Sequence, residues 1–168
     1  MRREGNGSVK WVLRLVSLVL VLWGTIAPLP ALAVYSQVEE PPQGILFRSR
    51  ESLRDRSGQS WQVVVFRYAK LEGMTPVTLR LVGFPGATDF LHQEPLRIDS
   101  ERDEWQVFES PVAPQLSSHV GEYDVTAIVT QLPTTHSLKL RLPLKEAQVL
   151  RIPPFVVEEW QRVSNAGA

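Results

Sequence analysis

Arg48, Arg50, Arg54 and Arg56 fall within one short stretch of the chain, and Glu51 and Asp55 partly compensate them. Guanidinium groups two residues apart on a strand share a face, where Arg48 and Arg50 can meet an anionic head group or an acidic partner protein. Arginines that only pair with local acids at a surface do little, so the charge matters where it faces a partner. This stretch is the candidate interaction surface. The other chemically capable residues form no constellation. His92, His119 and His136 are far apart and lack the two-histidine spacing of a helical metal motif. They read as exposed loop residues, and no metal or cofactor is assigned. Asp99, Glu101, Asp103 and Glu104 could offer oxygen ligands to calcium, but the glycine and distal glutamate of a calcium loop are missing and Arg102 interrupts them. They read as a solvated loop. Ser57 and Ser60 lack a nucleophile elbow, and no Ser–Lys pairing resembles a hydrolase signature. An enzyme would need polar groups from distant loops to converge in a cleft. Trp61, Trp105 and Trp160 read as core or rim aromatics, and alternatively as the lining of an apolar pocket.

The elements that must position these residues are mostly short strands. Ile45 to Arg48 is a first strand, residues 54–59 carry turn chemistry, and Ser60 to Leu71 is a long strand able to pair with the first as a hairpin. Pro76 to Phe84 alternates in its first half and stops at Gly83-Phe84-Pro85-Gly86, which suits a type II turn. Leu96 to Asp99 and Glu104 to Phe108 are further strands, and Tyr123 to Leu132 reads as strand rather than helix. Leu138, Leu140 and Leu142 alternate with Lys139 and Arg141, the pattern of a half-buried strand, and Val149 to Ile152 follows. Pro153-Pro154 then opens an amphipathic helix carrying Phe155, Val156, Val157, Trp160 and Val163. About seven short strands and one C-terminal helix make a mainly β (α+β) fold: an antiparallel β-sandwich or partly open barrel.

Ahead of this domain lies a basic segment, Arg2, Arg3, Lys10 and Arg14, followed by an uncharged run from Leu15 to Ala27. A basic start and an apolar run of about 13 residues make a signal helix of secretory type, and Ala31-Leu32-Ala33 places small residues at both positions a signal peptidase reads. Cleavage is expected after Ala33. The alternative is an uncleaved anchor, since the uncharged run can be stretched to Ala33, close to the ~20 residues of a bilayer span. The residues that normally follow a twin-arginine pair are missing, which favours the general secretory route. The chain contains no cysteine, which excludes a lipid-anchored lipoprotein and a disulfide framework. Residues 1–33 are thus the signal, 34–44 an extended linker with Pro41 and Pro42, 45–163 a single β-rich domain, and 164–168 a disordered tail. Without the signal the chain keeps 14 basic and 17 acidic side chains, a net charge of about −3. That balance argues against any nucleic-acid role dependent on neutralising phosphates.

Several stretches taken together are familiar. They are Phe47-Arg48-Ser49 with Ser52-Leu53-Arg54-Asp55 and Gly58, Trp61-Gln62-Val63, residues 79–86, Gly121-Glu122-Tyr123-Asp124, and Pro153-Pro154-Phe155-Val156-Val157 with Glu159-Trp160. From about Gly44 to Gln161 the chain resembles a cyanobacterial family of small exported proteins known only as a domain of unknown function. The resemblance implies a cyanobacterial source and delivery to the periplasm or thylakoid lumen, and it carries over no catalytic residue. The expectation is a non-enzymatic accessory or interaction protein at that face of a membrane, serving a membrane complex such as a photosynthetic one. The alternative is a small β-barrel-like carrier of an apolar ligand.

Overall fold

Apolar residues that alternate with polar ones can bury only one face of a strand, so every such strand here needs a second layer to cover it. The computed structural model describes residues 34–40, 44–70, 73–110 and 116–166. The expected signal helix and its cleavage residues Ala31 and Ala33 lie outside the described residues. Two antiparallel sheets supply the layers. The larger contains β1 (Val34–Glu40), β2 (Gly44–Arg54), β3 (Ser60–Lys70), β4 (Gly73–Met74), β5 (Thr78–Val82) and β8 (Val120–Asp124), ordered β1-β2-β3-β5-β8 with β4 paired to β3. The smaller runs β10-β9-β6-β7, from β6 (Leu96–Asp99), β7 (Glu104–Val107), β9 (Leu138–Leu142) and β10 (Gln148–Ile152). The fold is mainly β, and among the described residues no closed barrel forms. A bridge between Glu109 and Tyr123 joins the β7 side of the smaller sheet to β8, while β10 comes alongside β2.

The inner faces follow from the alternation. Phe47, Trp61, Val63, Val65, Leu79 and Leu81 from the larger sheet meet Leu96, Ile98, Leu138, Leu140, Leu150 and Ile152 from the smaller in one continuous core. Helix α1 (Pro154–Asn165) packs on β2 and β3, contributing Val156, Val157, Trp160 and Val163. Its first position is proline, which fits there because the N–H it lacks has no helical acceptor. Glu159 is buried in its second turn and accepts a 2.6 Å hydrogen bond from Arg162. The helix continues to Asn165, beyond the expected domain limit of 163. Among the described residues, no helix is long and apolar enough to cross a membrane.

Two segments differ from the sequence reading. Val34–Glu40, read as part of a linker, is extended but lies in register along β2, from Val34 opposite Arg50 to Glu40 opposite Gly44. An edge strand such as β2 otherwise presents a row of unpaired backbone groups, and β1 satisfies them. The expected strand Tyr123 to Leu132 is only strand to Asp124 and then turns into a short 3-10 helix, Val129–Gln131. The Asp124 carboxylate accepts hydrogen bonds from the Thr126 amide at 3.0 Å and hydroxyl at 2.6 Å, which bends the chain out of the sheet. Val125, Val129 and Leu132 recur at helical spacing and are buried, and Gln161 of α1 donates to the Val129 and Leu132 carbonyls at 3.3 and 2.9 Å. Local hydrogen bonding outweighs β propensity here.

Candidate functional site

The hairpin joining β2 to β3 is tied by one carboxylate. Asp55 Oδ1 accepts from the Ser57 amide (2.8 Å), the Ser57 hydroxyl (2.6 Å) and the Gln59 amide (3.0 Å), while Oδ2 accepts from Trp61 Nε1 at 3.0 Å. Burial alone would raise its pKa, but the hydrogen bonds from Ser57, Trp61 and Gln59 prevail and hold the carboxyl below its usual 3.8. Trp61 anchors this knot to the core: it is fully buried and meets Phe90 edge to face, with ring centroids 6.1 Å apart. The turn is thereby rigid, and it fixes where Arg54 and Arg56 stand.

The four arginines of the sequence reading run along β2 into its turn. Arg48 and Arg50 point to the outer face of the larger sheet, opposite Phe66 and Val64 of β3. Arg48 is half-buried and engaged by a neighbour, and Arg50 is exposed. A third arginine that sequence reasoning did not select shares that face. Arg80 of β5 lies opposite Val64, stacks 5.0 Å above the Phe66 ring, and is ion-paired to the buried Glu122 of β8. Arg54 and Arg56 lie at the end of β2 and in the turn, both exposed, with Arg54 Nη1 donating to the Gly58 carbonyl at 2.9 Å. Among the described residues, Arg50 and Arg56 have no ion-pair partner.

Arg54 and Arg56 also meet residues from the far end of the domain. With Asp55, Lys139, Val149 and Arg151 they line a cleft of about 350 Å³ at the seam where β10 runs beside β2. Alternation in β9 and β10 turns Lys139 and Arg151 outward, and antiparallel register sets them directly opposite one another. A second cleft of about 310 Å³ shares Lys139 and Arg151 and continues past Ser137 and His136 to Asp99, Ser100 and Glu101. Asp99 lies beside Lys139 in register, but its carboxylate is bonded to Arg141 Nε at 2.6 Å. Sequence reasoning could have noted that Lys139 and Arg151 face outward; no local signal says that they border the β2 hairpin.

The family model described as a protein of unknown function, DUF3122, matches residues 33–163. The chain belongs to the DUF3122 family. No curated protein and no solved structure matches it. The matched DUF3122 region takes in both sheets and most of α1, so β1 is part of the family domain. The histidines of this DUF3122 chain have separate partners: His92 Nδ1 meets Glu109 at 2.8 Å and His136 Nδ1 meets Thr135 at 3.1 Å. The His119 carbonyl accepts from Gly83. Among the described residues, no group of three or more His, Asp or Glu side chains is placed to hold a metal ion. Asp99 to Glu104 form the β6–β7 turn, in which Ser100 Oγ accepts from the Arg102 and Asp103 amides at 3.2 and 2.9 Å. Trp61 and Trp160 are fully buried in the core and Trp105 is half-buried and packed against it. Three clefts of this DUF3122 domain are lined mainly by charged and polar side chains, with Ala87 and Leu144 in one and Val149 in another.

Proposed function

We propose that this DUF3122 protein is an exported, non-enzymatic accessory protein at the periplasmic or thylakoid-lumenal side of a membrane. It docks an acidic surface of a membrane complex, a photosynthetic one, against the arginines of β2 and its turn. The observation that carries this reading is the exposure of Arg50, Arg54 and Arg56 along one strand and its rigid turn, with Arg50 and Arg56 lacking ion pairs among the described residues. Unpaired guanidinium groups on a fixed backbone favour a carboxylate-bearing partner, because little side-chain and loop ordering remains to be lost on binding. The basic start and small-residue cleavage site at Ala31 and Ala33 support the address.

The test is affinity purification of the tagged protein from gently solubilised membranes, compared with an Arg50→Glu/Arg56→Glu variant. Co-purified subunits of a membrane complex that are lost from the variant are the expected outcome. Recovery of a free monomer alone, or of the same subunits with the variant, would overturn the reading.

A further inference from the structure

Four cations border the cleft at the β2–β10 seam, and the one acid among them is already committed. Arg54, Arg56, Lys139 and Arg151 face the same space of about 350 Å³, within the size range of small-ligand sites. Both oxygens of Asp55 are occupied by Ser57, Gln59 and Trp61, so its carboxylate has little capacity left to pair with them. Among the described residues, Lys139, Arg151 and Arg56 make no ion pair.

Like charges placed directly opposite across a strand pair destabilise a sheet, and Lys139 faces Arg151 in that position. Their nearest acid in register, Asp99, is held by Arg141. An anion between the two cations would remove this repulsion and gain charge-assisted hydrogen bonds from two or more guanidinium forks. The edge of β10, an outermost strand of its sheet, adds a second anion-favouring feature, since a sheet edge presents unpaired backbone groups.

We infer that the seam between β2 and β10 is a binding site for a phosphate-type oxyanion, gripped by Arg54 and Arg56 from one side and by Lys139 and Arg151 from the other. The site stands independently of the export and docking reading, because it rests only on how the two sheets meet. The same chemistry is offered by free inorganic phosphate and by the head group of an anionic phospholipid.

The experiment titrates the purified full-length protein with inorganic phosphate by calorimetry at low ionic strength, and separately measures its co-sedimentation with vesicles of phosphatidylglycerol in phosphatidylcholine. Each is repeated with Lys139→Ala/Arg151→Ala and with Lys70→Ala, an exposed cation elsewhere on β3. All the substituted side chains are exposed, so the fold is retained, and circular dichroism checks this. The expected result is saturable binding that weakens about tenfold or more in the double variant, about 1.4 kcal/mol, and is unchanged by Lys70→Ala. Cleft-dependent binding of phosphate assigns a free anion, and cleft-dependent binding of vesicles alone assigns a lipid head group. The inference is overturned by absence of binding to either probe, or by binding that the double variant retains.

Discussion

Asp55 shows how much one side chain can determine. Four donors converge on its carboxylate, and one of them is the indole of a fully buried tryptophan, so turn, core and cleft share this residue. Asp55→Asn places an amide where Trp61 Nε1 requires an acceptor, or where the Ser57 and Gln59 amides do. The expected loss is about 1–3 kcal/mol, the usual consequence of leaving a poorly exposed donor unsatisfied, and urea unfolding at neutral pH measures it. Because the folded pKa lies below the unfolded value, the contribution of the carboxylate is complete above the unfolded pKa and fades as pH falls through the folded one. The gap between wild type and variant should therefore shrink on acidification below about pH 4. An equal gap at neutral and strongly acid pH would remove the role given to the carboxylate. At this scale the sequence was informative about Asp55, whose neighbours Ser57, Gly58 and Gln59 announce a turn. It was silent about Trp61 as a fourth donor, because side chains on the two sides of a hairpin turn meet only once the strands pair.

At the scale of elements, alternation was the dependable signal. Leu96–Asp99 and Leu138–Leu142 stand where their patterns put them, since a half-buried strand imposes a period of two on its own residues. The segment after Asp124 escaped this logic: its apolar residues fit both periods, and an Asp124–Thr126 turn chose between them. Small residues inside strands mark close packing that propensity does not reveal. Gly121 of β8 is one, for a Cβ there would sit 2.8 Å from the Tyr123 hydroxyl and 3.1 Å from a Phe90 ring carbon. Both rings are buried, Tyr123 so deeply that desolvation and the nearby Glu109 push its phenol pKa well up, so neither ring can give way freely. Gly121→Ala is expected to destabilise the fold by about 1–3 kcal/mol through overpacking, seen as a lower denaturation midpoint with an unchanged slope. A variant as stable as the parent would mean that the rings have room to move.

For the whole molecule, the arrangement of sheets decides what the surface offers. Cleavage after Ala33, if it occurs as expected, would make Val34, the first residue of β1, the mature N-terminus. Mass spectrometry of protein recovered from cells is expected to find that start, whereas an intact Met1 would make the protein an anchored one. The sequence by itself determined the strand periodicity, the C-terminal amphipathic helix, the mainly β class and the absence of any disulfide, because each depends on residues close together in the chain or on composition. Only the tertiary structure decided that Arg54 and Arg56 join Lys139 and Arg151 at the seam. The physical reason is that strand neighbours are chosen by burying inner faces across the whole domain. Outward side chains are carried along by that choice and leave no local trace of the company they will keep.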